Sequence, residues 1–170
     1  MKKMVPVAIF ILIIAVVTMA ILNKDYVKDK DIMIEKFSFV LMNNGEEVAI
    51  VDLEFIEGLE AKEFKANLKS SGKDPVEHSF RGVALKDIIE SKEESLEGKK
   101  QVVIRSIDGF AVALSAAEVA EEDNVYIVYE IDGKPLGTKD DGGSGPYQIV
   151  IRKDAFGQRW AKFVVEVELK

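Results

Sequence analysis

Apolar and polar residues alternate with a period of two along much of this chain, a pattern that commits those segments to β-strands with one face inward and one outward. At the C-terminal end Phe163, Val165, Val167 and Leu169 interleave with Val164, Glu166, Glu168 and Lys170. Val51, Leu53 and Phe55 alternate with Asp52 and Glu54, and Phe64, Ala66 and Leu68 with Lys65 and Asn67. A turn at Ser71-Gly72-Lys73-Asp74 leads into Val76 to Phe80, so these last two runs predict a hairpin. Further strands are predicted over 101–107, 110–115 and 125–131, the last followed by the turn Asp132-Gly133-Lys134-Pro135. Tyr147 to Arg152 is apolar on both faces at Ile149-Val150-Ile151, which predicts a strand lying centrally in a sheet.

Helical spacing is brief. Leu85, Ile88 and Ile89 form an i, i+3, i+4 stripe behind Gly82, ending near Ser91. Ser115 and Glu118 have the spacing of a capping box and predict a second helix of two turns. Many strands with two short helices give a fold of the α+β class, mainly β.

The first 22 residues stand apart from that pattern. Met4 to Leu22 carries no charge over 19 positions, a span of roughly 28 Å as a helix, close to the thickness of a bilayer core. Lys2 and Lys3 precede it, so the positive-inside tendency puts the N-terminus in the cytoplasm and the rest outside. The competing reading is a signal peptide cleaved after Thr18-Met19-Ala20, which would leave the domain secreted. The expected organisation is an anchor over 1–22, a charged tether over 23–36 and one domain over 37–170. The chain carries a net charge of −7, and without the anchor's two lysines it is more acidic still, which opposes nucleic acid as a partner.

The chemistry available is narrow. There is no Cys and one His, His78, so a usual zinc site and thiol catalysis are both out of reach. Ser144, in Gly142-Gly143-Ser144-Gly145-Pro146, departs from G-x-S-x-G and has only His78 as a potential base. The glycines there either permit a tight turn or form a nest of amides for an anion. Arginine occurs only at 81, 105, 152 and 159, and two guanidiniums that converged would make an anion pocket in an acidic domain.

The order of motifs resembles a known family. Phe80-Arg81-Gly82-Val83-Ala84-Leu85-Lys86-Asp87-Ile88-Ile89 resembles the WxGxxLxDLL-like segment of the sulfite-oxidase-type molybdopterin-binding domain. Ser106-Ile107-Asp108-Gly109-Phe110 is similar to its A-x-D-G-Y turn, and Asp132-Gly133-Lys134-Pro135-Leu136 to its nGxpL turn. Gly143 to Val150 resembles its GGPxRLV stretch, and Gly157-Gln158-Arg159-Trp160-Ala161-Lys162-Phe163 its closing G-x-x-x-x-K-W strand.

The resemblance implies a β-rich core whose loops surround molybdopterin, oxygen-atom or electron transfer, and a metal held by a cysteine upstream of Phe80. No Cys stands there, Phe80 replaces the family's Trp, and Gln148 occupies the position often held by Arg. The candidate cofactor-binding residues are Arg81, Asp108, Gly143, Ser144, Gly145, Arg159 and Lys162, with no catalytic residue and no metal ligand among them. The resulting expectation is a membrane-tethered domain that binds a small anionic, pterin-like ligand or an envelope partner without catalysis. Two alternatives are a molybdopterin-dependent oxidoreductase that holds its cofactor without Cys, and an interaction module of an envelope complex that offers an edge strand.

Overall fold

The computed structural model describes residues 9–19, 36–69 and 74–170. Two compact units divide the chain, residues 1–32 and 33–170. In the first, residues 9–19 form helix α1, with its large apolar side chains exposed. Among the described residues no helix is long and apolar enough to cross a membrane. The rest of the predicted anchor, almost all of the charged tether, and most of the turn predicted at Ser71-Gly72-Lys73-Asp74 lie outside the described residues.

The second unit is built from β1 (Ser38–Asn43), β2 (Glu46–Asp52), α2 (Leu53–Glu57), β3 (Lys62–Leu68), β4 (Val76–Ala84), α3 (Leu85–Ser91), β5 (Gln101–Ser106), β6 (Ala111–Ser115), α4 (Ala116–Ala120), β7 (Val125–Ile131), β8 (Lys134–Pro135), β9 (Gln148–Ile151) and β10 (Val164–Leu169), with one 3-10 turn at Gly157–Arg159. One sheet has the order β2-β1-β10-β5-β6; the other runs β3-β4-β7-β8, with β9 also on β7. Every pairing is antiparallel except β1 with β10. The two sheets share a core in which Phe39, Phe80, Tyr126 and Tyr147 are fully buried. Helix α3 adds Leu85, Ile88 and Ile89, each without exposed surface, and each such side chain contributes about 1.5–3 kcal/mol of burial.

The architecture is the expected mainly β α+β fold, with corrections in detail. Strand β2 stops at Asp52, whose carboxylate accepts the Phe55 N–H at 2.9 Å. That N-cap starts α2, so Leu53 and Phe55 are helical where alternation suggested a strand, and the domain has three short helices where two were expected. Strand β9 is buried at all four residues as predicted, yet it pairs fully only with β7; its other edge meets the chain at a single bridge, Gln148 to Lys162. In β10 the register shifts between Val164 and Glu166. This bulge breaks the predicted parity, so Val164 joins Val167 and Leu169 in the main apolar cluster while Val165, although also buried, packs outside it.

The Arg81-Gly82 step is a second bulge, between β4 and β7. A Cβ on Gly82 would lie 2.2 Å from the Ile127 carbonyl oxygen, so no other residue lets β4 approach β7 this closely.

Candidate functional site

Phe163 is the knot of the site. It has a positive φ of 53°, an unfavourable conformation for a bulky side chain, held by both of its backbone polar groups. Its N–H donates to the Ser144 carbonyl at 3.0 Å, and its carbonyl accepts the Ile107 N–H at 3.0 Å. One residue on, the Val164 N–H donates to the Tyr147 carbonyl at 3.1 Å. These bonds draw the glycine loop, the β5–β6 turn and the start of β10 into one place. Five of the predicted residues, Asp108, Gly143, Ser144, Gly145 and Lys162, are therefore assembled around Phe163.

Their individual roles differ from the expectation. Asp108 accepts the Phe110 N–H at 3.0 Å and so closes its own turn. The loop amides are not a nest: Gly142 donates to Lys139, Gly143 to Thr138, Ser144 to Leu136 and Gly145 to Gly137, at 2.8–3.1 Å. All four N–H groups are used inside the loop, so none is left for an anion. The glycines serve close packing, since a Cβ on Gly143 would lie 2.3 Å from the Leu136 carbonyl oxygen. Lys162 is exposed and has no acidic partner among the described residues.

The arginines do not converge. Arg81, on β4, lies 3.8 Å from Glu130 and over the Tyr129 ring. Arg159 is held by Asp154 at 3.0 Å through Nε and by Glu118 at 2.6 Å. The hydrogen bonds it donates to Asp154 and then to Glu118 push this guanidinium further above its ordinary range. Arg105 pairs with Glu166 and Glu168, and Arg152 with Asp123. Each guanidinium thus has its own carboxylate, and the expected anion pocket between arginines is absent among the described residues.

His78 bonds Asp132 at 2.7 Å and has no contact with Ser144, so no hydrolase dyad forms. No group of three or more acidic or His side chains among the described residues is arranged to hold a metal. Sequence reasoning gave no role to two buried polar atoms, Ser106 Oγ and Gln148 Nε2, that have no partner. They flank the Phe163 junction, since Ser106 pairs with Val164 and Gln148 bridges to Lys162. The signals were Gln148 standing where the resemblance puts an Arg, as a polar residue heading an otherwise apolar strand, and Ser106 opening the segment similar to the A-x-D-G-Y turn.

The family model for the oxidoreductase molybdopterin binding domain matches residues 52–170. The chain belongs to that family. Among solved structures, the sulfane dehydrogenase SoxCD from Paracoccus pantotrophus has a similar fold, with a TM-score of 0.63 and 13% identity. The match covers 78% of this chain and 38% of that one, so the chain spans well under half the length of this relative. No curated protein matches the chain. Against the molybdopterin-binding family, the donor set here does not fit the metal. A soft thiolate is missing from all 170 residues. What remains near Phe163 suits hydrogen bonding: one unpaired ammonium on Lys162, a buried amide on Gln148 and a buried hydroxyl on Ser106.

Proposed function

We propose that this chain is a non-catalytic member of the molybdopterin-binding family, a domain that holds a ligand or partner and carries out no oxygen-atom transfer. The observation behind this reading is the absence of Cys from a chain whose family-matched segment runs from 52 to 170. With no thiolate, molybdenum would have only hard or weak donors, and it favours sulfur. The ligand in this reading is a pterin-like anion without bound metal, contacted by the exposed ammonium of Lys162. The guanidiniums of Arg81 and Arg159 are already neutralised by their own carboxylates and add little attraction. The domain is placed outside the cytoplasmic membrane, tethered through Met4 to Leu22, where an envelope protein is the natural partner.

The test is purification of the full chain from its own host, followed by elemental analysis for molybdenum, extraction of any fluorescent pterin, and assay of sulfite oxidation. Metal well below stoichiometric, with no turnover, is the expected result. One molybdenum per chain together with turnover would end the non-catalytic reading, and protease accessibility of the domain in intact cells tests its placement.

A further inference from the structure

The sheets have open edges, and among the described residues most are guarded against further pairing. Strand β2 carries Glu46, Glu47 and Asp52, and its pairing with β1 is bulged at Leu41-Met42. Strand β3 carries Lys62 and Lys65, and β8 is two residues long and ends on Pro135. The outer edge of β9 is met by the bridge from Gln148 to Lys162 and by the Ile149 N–H on the Ala161 carbonyl at 2.8 Å. Strand β6 has none of these devices. Ala111–Ser115 carries no charge and no Pro, and its register with β5 runs unshifted from Ala111 to Ser115. Phe110, just before it, is 45% exposed.

Backbone parity decides which groups of β6 are free. The Ser106 N–H donates to the Phe110 carbonyl at 2.9 Å, and the Ala116 N–H to the Lys100 carbonyl at 3.1 Å. Even-numbered residues therefore turn their polar groups toward β5, and Ala111, Ala113 and Ser115 turn theirs toward the open edge. No strand among the described residues meets that edge. The three side chains are small and exposed, and the Ser115 hydroxyl is occupied in capping α4, where it accepts the Glu118 N–H at 3.1 Å. What the edge offers is backbone hydrogen bonding.

We propose that β6 is the contact between two copies of this chain, paired antiparallel about a two-fold axis at Ala113, so that two five-stranded sheets join into one. The edge is its own complement. Ala113 stands opposite Ala113 of the partner subunit and Ala111 opposite Ser115 of the partner subunit, with about six N–H···O bonds across the axis. No like charges meet in the strand, whereas the same operation on β2 would set Glu46 against Asp52. The one acid in α4, Glu118, is already neutralised by Arg159. Phe110 falls opposite Ala116 of the partner subunit, a small residue that leaves room for the exposed ring. A foreign strand added here would leave its own outer edge bare, while a second copy closes two open edges in one contact. With five strand residues a side, the dimer is weak and concentration-dependent. The inference does not depend on whether the chain is catalytic.

The chain contains no Cys, so a single introduced thiol reports its own neighbours. In the full chain Ala113→Cys should give a disulfide-linked dimer under mild oxidation, because the two Cα atoms would lie about 5.5 Å apart, within disulfide reach. Ala111→Cys alone should not, since the two copies of that position would be about 13 Å apart. A mixture of Ala111→Cys and Ser115→Cys chains should form the mixed dimer. Sedimentation of the wild-type full chain in mild detergent should pass from one chain to two as concentration rises. Ala113→Glu sets two carboxylates against each other across the axis and should weaken the dimer roughly tenfold or more. Ala113 is exposed, so this variant keeps the fold, which an unchanged Tm will show. Equal crosslinking at positions 111 and 113, a dimer that Ala113→Glu leaves unchanged, or a single chain up to millimolar concentration would each overturn the proposal. So would a disulfide from position 113 to a different protein in membranes of the host.

Discussion

Asp132 holds His78 and the backbone of its neighbour at once: one carboxylate oxygen lies 2.7 Å from His78 Nδ1, and the other accepts the Ser79 N–H at 3.0 Å. The carboxylate ties the β7–β8 turn to the middle of β4. The hydrogen bond from His78, and then that from Ser79, lower its pKa below the usual carboxylate range. A depressed folded-state pKa means that the stability it gives is present above the unfolded value, about 3.9, and is lost as pH falls through the lower folded value. Asp132→Asn should therefore lower the Tm near pH 6 and lose its effect once the wild-type carboxylate is protonated. Thermal melts of both proteins from pH 2 to pH 7 provide the check, and a constant difference across that range would contradict it.

Tyr126 gives the opposite sign. Burial, followed by its hydrogen bond to Asp123, raises its hydroxyl to about 12. The unfolded chain ionises this group near 10, so its stabilisation is complete below that pH and disappears as pH rises through about 12. Tyr126→Phe should cost about 1 kcal/mol at neutral pH, and the variant should lose less stability than wild type between pH 10 and 12. Urea titrations at pH 7 and pH 11, with tyrosinate absorbance as a parallel readout, measure both.

Gly143→Ala should destabilise the domain by about 1–3 kcal/mol, because the new methyl group would meet the backbone of Leu136 and Gly137 at 2.3–2.5 Å. The same substitution at Gly109, where a Cβ meets nothing within 4 Å although φ is +87°, should cost only about 1 kcal/mol. Chemical denaturation of the two variants separates packing from backbone conformation, and equal losses would argue against a packing role for the loop.

Arg159→Gln tests whether that guanidinium serves the fold or a ligand. It leaves Asp154 and Glu118 facing each other without their cation, but the arginine is 41% exposed, so screening keeps the cost near 1 kcal/mol. The loss should shrink with added salt, and binding of a pterin should be unchanged. A large loss of pterin affinity measured by calorimetry would return Arg159 to the binding site.

Much of the strand content was legible because β3, β5 and β6 bury one face against a single partner layer, which writes an alternation. Where backbone geometry overrides parity, sequence reading failed, as at the Val164–Glu166 bulge. The β1–β2 hairpin was missed although its turn, Asn44-Gly45, has both residues at positive φ, the chemistry of a two-residue hairpin. Asp52 likewise carried a readable N-cap signal that the alternation around it concealed. In the site, the motif order brought Asp108, Gly143, Ser144, Gly145 and Lys162 into view together. The pairing of Arg81 with Glu130, and of Arg159 with Glu118 across 41 residues, was not readable, because no local spacing encodes a long-range ion pair.

In the sheet the β2-β1 and β5-β6 ribbons are joined by β10, a strand that follows both of them in the sequence. During synthesis both ribbons must wait with bare hydrogen-bonding edges until the segment from Val164 to Leu169 leaves the ribosome and slots between them. A nonsense change anywhere before Val164 would thus yield two orphaned hairpins with sticky flanks, a species fit for aggregation or proteolysis and unable to act as a shortened domain.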